Sequence, residues 1–366
     1  MVKTKRTSAF QISIAVNLLA IGLAVNSPPA RAQGSGVWTN TGSLNVARAF
    51  HTFTLLANGQ VLAVGGDGSS GLLASAELYN RATGTWTLTG MMAIAREEHT
   101  ATLLPNGEVL VAGGYQGADY TAEAELYDPS TGRWKTTGSM TVARGFAGAA
   151  LLQNGEVLVA GGENLDGTAG SSAELYNPST GVWKATGSMH SSHVALATLL
   201  PNGEVLVVSE STDIYNPSTG EWTVGAPPLF AAGGPVKVSN GDLLFFGGRS
   251  TTSAAQVYNP STNAWSTLAN QTGIYVSGPL VALASGKALL AGGSTSYHSA
   301  AAIAFVYDPS ANAWSETGSL LQAGLEGGVL LSNGQVLVAG GILSQQRNSN
   351  GTLSTTFRDS AELYTP

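Results

Sequence analysis

Apolar residues after position 36 come in short runs punctuated by turn residues, and the same order returns seven times. In one copy Leu103-Leu104 is followed by Pro105-Asn106-Gly107-Glu108, the run Val109-Leu110-Val111-Ala112, and then Gly113-Gly114. Ala124-Glu125-Leu126-Tyr127 comes next, and Asp128-Pro129-Ser130-Thr131-Gly132-Arg133-Trp134 ends the copy. Asn-Gly between apolar runs is the strongest short hairpin signal and predicts a type I′ turn, whose two central residues both take positive φ. It stands at Asn58-Gly59, Asn106-Gly107, Asn154-Gly155, Asn202-Gly203, Asn240-Gly241 and Asn333-Gly334, with Ser285-Gly286 as the variant. The Gly-Gly pair predicts the end of a second strand, where neighbouring backbone comes close enough to favour residues without Cβ. The fourth copy departs, with Val208-Ser209 in its place. A third strand closes on Tyr79, Tyr127, Tyr176, Tyr215, Tyr258, Tyr307 and Tyr364, and a Pro-Ser-Thr-Gly type turn leads to a strand carrying Trp. Large aromatics with a polar tip suit packing between neighbouring units while hydrogen-bonding at the edge.

Trp38, Trp86, Trp134, Trp183, Trp222, Trp265 and Trp314 follow one another at spacings of 48, 48, 49, 39, 43 and 49 residues. Repeats of this period point to a propeller. The order double glycine, Tyr, Trp resembles the kelch repeat family over nearly all of residues 36–366, in seven agreeing copies. The resemblance implies an all-β, seven-bladed β-propeller of four-stranded blades. A WD40 reading is disfavoured because no Trp is followed by Asp. The N-terminus supplies a Trp strand with nothing before it, and the C-terminus stops at Glu362-Leu363-Tyr364 without a Trp. The strand at Trp38 is therefore expected to complete the last blade and clasp the ring, protecting its edges.

Composition adds export and removes several chemistries. Lys3, Lys5 and Arg6 precede the mostly apolar stretch 12–25, and Ala30-Arg31-Ala32 has the form of a cleavage site, so residues 1–32 are expected to be a secretory signal and 33–366 the propeller. The expected location is secreted or periplasmic. The formal charge is −7, and loss of Lys3, Lys5, Arg6 and Arg31 makes it more negative. That balance argues against nucleic acid, and against an anionic membrane once the signal is cleaved. With no Cys among 366 residues, disulfides, thiolate nucleophiles and Cys-ligated zinc are excluded. His190 and His193 are the closest histidine pair, three residues apart in a predicted loop, and are read as incidental; no metal or other cofactor is expected.

In a four-stranded blade, the loops joining strands two and three emerge on the same face as the links from strand four to the next blade. Here they differ in length and content: 67–74, 115–122, 163–172, 210–212, 249–253, 294–299 and the long 342–359. Variable loops on a rigid ring are where specificity resides. The same face is expected to carry Arg48, Arg96 and Arg144 at equivalent places, with Tyr275 in blade six. His51 and His99 follow three residues after the first two arginines, and Glu326 takes their place in blade seven. Three guanidinium groups around a channel mouth would bind carboxylates or sugar hydroxyls by forked hydrogen bonds. As repeat residues, they would instead pair with backbone carbonyls or with Glu97 and Glu98. The loop carboxylates Asp67, Asp119, Glu163 and Asp166 are read as solvated charge.

The kelch resemblance brings two enzymatic precedents. Galactose oxidase depends on a Tyr crosslinked to Cys, which this chain cannot supply. The kelch-type sialic acid mutarotase uses charged side chains in the channel for proton transfer, a role open to Glu326. The Pro-Ser-Thr-Gly-x-Trp turns lack the Asp of a sialidase Asp-box. The expectation is a monomeric, non-enzymatic binding module for a glycan or protein ligand, with no catalytic residue assigned. A carbohydrate-active enzyme of the mutarotase or isomerase kind is the alternative.

Overall fold

Each apolar run between an Asn-Gly turn and a Gly-Gly pair forms a strand buried on both sides, as in Val61–Val64, Val109–Ala112 and Val157–Ala160. A computed structural model describes residues 36–190, 196–209, 211–229, 233–247, 254–268, 278–292, 294–296, 299–347 and 353–366. The expected signal segment and Tyr275, His193 and His298 lie outside the described residues. Those described belong to one compact unit, 32–366. They form seven four-stranded antiparallel sheets, with no helix among them. In blade one the order is Thr52–Leu55, Val61–Val64, Ala76–Asn80 and Thr85–Leu88, and the others repeat it. The seven innermost strands lie side by side in ring order, and Leu325–Leu330 of the last blade returns to Thr52–Leu55 of the first.

Seven apolar clusters hold the ring, one at each junction of blades. Leu62 and Val64 pack on Val109, Val111 and Tyr127 of blade two. Their neighbours Val61 and Ala63 turn to Leu331, Leu337 and Ala339 of blade seven. A strand sandwiched between two blades has no solvent side, so its sequence is continuously apolar rather than alternating.

The last blade combines the first described strand with the C-terminal strand. Val37–Asn40 pairs antiparallel with Leu353–Thr365, placing Trp38 opposite Tyr364 and Asn40 opposite Glu362. Trp38 Nε1 donates to the Gly318 carbonyl at 2.6 Å, the bond that Trp134 makes to Gly90 and Trp183 to Gly138. Tyr364 Oη meets Thr317 Oγ1 at 2.9 Å, like Tyr79 with Thr41 and Tyr127 with Thr89. The N-terminal strand thus takes every position of a repeat strand.

Two expectations about loops change. In the Asn-Gly hairpins only Gly has positive φ, for example +81° at Gly59. Leu56 N donates to Gln60 O and Gly59 N to Leu56 O. This is a three-residue loop, a turn followed by a left-handed Gly, and not the predicted type I′ turn. The residue before Asn is part of the loop, which explains why Pro105 and Pro201 fit there. The stretch 342–359 is also not all loop: Val336–Arg347 and Leu353–Thr365 continue as a two-stranded ribbon, with Ile342 opposite Phe357 and Arg347 opposite Leu353.

Candidate functional site

The three arginines expected around a channel mouth are enclosed instead within their own blades. Arg48 and Arg96 are 0 % exposed and Arg144 1 %. Arg48 Nη2 lies 2.9 Å from Glu77 Oε1, and its Nη1 donates to Gly65 O at 2.8 Å and Ser75 O at 3.1 Å. Arg96 repeats this with Glu125 at 2.9 Å and Gly113 O at 2.8 Å, and Arg144 with Glu174 at 3.3 Å and Gly161 O at 2.7 Å. The same glutamates accept backbone N–H groups of the link between blades: Asn45 and Val46 for Glu77, Ala93 and Ile94 for Glu125, Thr141 and Val142 for Glu174. Each Arg–Glu pair therefore staples the interblade link to the Gly-Gly corner. Burial lowers the guanidinium pKa, and the paired carboxylate opposes it. A guanidinium taken out of water needs a charge partner, which here is the Glu of the Ala-Glu-Leu-Tyr strand and not Glu97 or Glu98. That Glu follows its Arg by 29, 29 and 30 residues in blades one to three, a signal present in the sequence and not read there as a pairing.

His51 and His99 are wedges between blades. A Cβ built on Gly340 would lie 2.7 Å from His51 Cε1, and one on Gly65 2.9 Å from His99 Cε1, so each ring rests on the first Gly of the preceding blade. His99 Nε2 also lies 3.0 Å from Thr52 Oγ1, and His51 sits edge-on to Phe53. Burial, reinforced by Arg48 and Arg96, lowers both imidazoles to about 3, so they are neutral. Glu326, at the equivalent place in blade seven, receives a hydrogen bond from the Ile342 backbone, and burial raises its pKa to about 7.

What gathers on the variable-loop face of blades one to three is a set of carboxyl groups and two tyrosines. Short bridges pair Ala49 with Asp67, Glu97 with Tyr115 and Gly145 with Glu163, so these residues occupy matching places on successive blades. The next residues, Phe50, Glu98 and Phe146, all have left-handed backbone, at φ of 55°, 59° and 53°. Bulky residues are uncommon in that region and persist where the surroundings hold them. Glu97 is 8 % exposed; burial, and then the charge of Asp67, raises its pKa to about 7. Burial, and then Glu97 and Glu163, raises Glu98 to about 8. Tyr115 and Tyr120 meet edge to face with centroids 5.6 Å apart, and Tyr120 packs over Gly145, where a Cβ would lie 2.5 Å from its ring. Of the loop carboxylates read as solvated, Asp67 and Glu163 belong to this group. Asp119 and Asp166 cap their own turns, through Tyr120 N and Thr168 N.

The comparisons fit this geometry. The Kelch motif family model matches residues 99–141, which run from the inner strand of blade two into the link beyond its Trp strand. The chain is a seven-bladed β-propeller with a Kelch motif in its second blade. Among solved structures, a fungal alcohol oxidase of the AA5 family in complex with copper is similar in fold, with TM-score 0.70 and 16 % identity over 91 % of this chain and 77 % of that one. No curated protein matches the chain.

The Tyr–Cys crosslink on which galactose oxidase depends has no counterpart in this chain. There is no Cys to crosslink to a Tyr. Among the described residues no three His, Cys, Asp or Glu side chains are grouped to hold a metal ion. The opposite face of the ring carries a cleft of about 420 Å³ between blades three and four, lined by Asn154, Asn202, Glu204 and Asn216 among others. Each of these asparagines is spent on its own turn, accepting the N–H of Glu156, Glu204 or Ser218, so the cleft is a seam between repeat turns.

Proposed function

We propose that this kelch propeller is an exported binding protein that takes a hydroxyl-rich ligand of glycan chemistry on the variable-loop face of blades one to three. The observation that carries this reading is the grouping of Asp67, Glu97, Glu98 and Glu163 beside the Tyr115–Tyr120 pair. The Glu97 and Glu98 carboxyls, raised to about 7 and about 8, both donate to and accept from sugar hydroxyls near neutral pH, and an aromatic face packs on the apolar side of a sugar ring. Titratable groups shifted in this way on a rigid scaffold are where binding and catalytic sites concentrate. The test is a glycan array with residues 33–366, run beside a Glu97→Gln/Glu98→Gln variant. Retention on the same glycans with unchanged affinity in both would refute it.

One observation favours a second reading. Glu97 and Glu98 titrate at about 7 and about 8, where a general acid and base are most effective. An enzyme exchanging sugar anomers needs such a pair. Following anomer equilibration by NMR with the wild type and the same double variant separates the two: acceleration lost in the variant means catalysis, and no acceleration by either means binding alone.

A further inference from the structure

Six Asn-Gly pairs stand on the hairpin face, and Asn-Gly is the sequence in which asparagine is most open to self-cleavage of its amide. The glycine nitrogen attacks the asparagine Cγ, an N–Cγ bond forms, the Cγ–Nδ2 bond breaks, and ammonia leaves with the former glycine proton. Water then opens the cyclic imide at either carbonyl, giving aspartate or isoaspartate. The attack needs a freed glycine N–H and a side chain able to swing its Cγ over that nitrogen.

All six hairpins block both requirements in the same way. The Gly59, Gly107, Gly155, Gly203, Gly241 and Gly334 N–H groups donate to the carbonyl three residues earlier at 2.9–3.0 Å. The asparagine is held at both ends by the residue two places on. Its Oδ1 accepts that residue's N–H, from Gln60, Glu108, Glu156, Glu204, Asp242 and Gln335, at 3.0–3.2 Å. Its Nδ2 donates to the same residue's side-chain oxygen at 2.6–2.9 Å. Rotation of Cγ toward the glycine breaks both bonds, and loss of ammonia removes the donor altogether. In the four copies with Glu or Asp, hydrolysis would also set a new carboxylate against an existing one, which is unfavourable.

We propose that the acceptor side chain two residues after each Asn is a positioning residue that keeps the Asn-Gly turns from deamidating. The role explains why only Gln, Glu or Asp fills this place in the six Asn-Gly copies, while the Ser285-Gly286 variant, with no amide to protect, has Lys287. It gives these exposed turns a purpose beyond closing the hairpin: chemical durability, which matters most if the protein is exported as proposed above.

The test is site-resolved peptide mass mapping during incubation at mildly alkaline pH, with the full chain folded and in urea. The folded chain is expected to convert its six hairpin sites far more slowly than the denatured one, the seventh Asn-Gly pair, Asn350-Gly351, lying outside the described residues; equal rates at the six overturn the proposal whatever any variant does. Glu156→Ala is expected to speed conversion of Asn154 by roughly tenfold, the scale of one hydrogen bond to a charged group. The other five sites then serve as internal controls, and Glu156→Gln restores protection, as Gln60 and Gln335 do in their own turns. Asn154 conversion in Glu156→Ala at the wild-type rate also overturns it.

Discussion

Replacing Glu77 by Ala tests the reassignment of the arginines. The carboxylate accepts Asn45 N at 2.7 Å, Asn45 Nδ2 at 2.8 Å, Val46 N at 3.0 Å and Arg48 Nη2 at 2.9 Å, all in a fully buried place. Its loss leaves a guanidinium buried without a counter-charge, which costs about 3–5 kcal/mol. With an unfolding entropy of about 2.1 cal/mol/K per residue, a ring of this size loses roughly 4–7 °C in Tm. The matched control is Glu108→Ala, which removes a 2.6 Å pair to Lys135, whose side chain is 60 % exposed, together with the exposed 2.9 Å bond from Asn106 Nδ2. That pair is expected to contribute less than about 1 kcal/mol. Urea unfolding followed by tryptophan fluorescence measures both. If Glu77→Ala costs no more than Glu108→Ala, Arg48 is not held by the blade, and its place as a ligand group reopens.

Deleting residues 33–44 should lower Tm markedly, because it removes the Trp38 strand and its bond to Gly318; an unchanged transition would mean that blade seven closes without it. Glu326 has its folded pKa raised from 4.5 to about 7, so its contribution is present at low pH and is lost as pH rises through that window. Between about pH 5 and about pH 8 this amounts to about 3 kcal/mol, and Glu326→Gln should flatten that slope in urea titrations. His51 and His99, lowered to about 3, act oppositely: their contribution is present above about 6.5 and lost as pH falls toward 3. Gly340→Ala should destabilise far more than Gly59→Ala. Both have positive φ, but a Cβ at Gly340 meets the Arg48 carbonyl at 2.6 Å and His51 at 2.7 Å, whereas at Gly59 the nearest atom is 3.8 Å away.

The blade pattern was legible because its signals are local. Asn-Gly, Gly-Gly, the closing Tyr and the Trp each act within a few residues, and the ring follows from repeating them. The Trp38 clasp was legible too, since each chain end lacks what the other has. The candidate site was not legible in the same way. Arg48, Arg96 and Arg144 recur at equivalent places whether they face a ligand or a buried Glu. The pairing closes over 29 or 30 residues, through a strand whose Glu looked like one more polar position among apolar ones. Glu97, Glu98, Asp67 and Glu163 come from three blades and carry no common motif, so only folding shows that they meet.

By itself, then, the sequence determined the number of blades, the strand order, the shared seventh blade and the absence of thiol chemistry, because these depend on short-range spacing and on residue counts. The tertiary structure alone decided which charges face solvent and which are consumed inside the blades. It placed His51 and His99 between blades. It also raised two ordinary glutamates to titrate near neutral pH, because burial and like charge are properties of where side chains end up together.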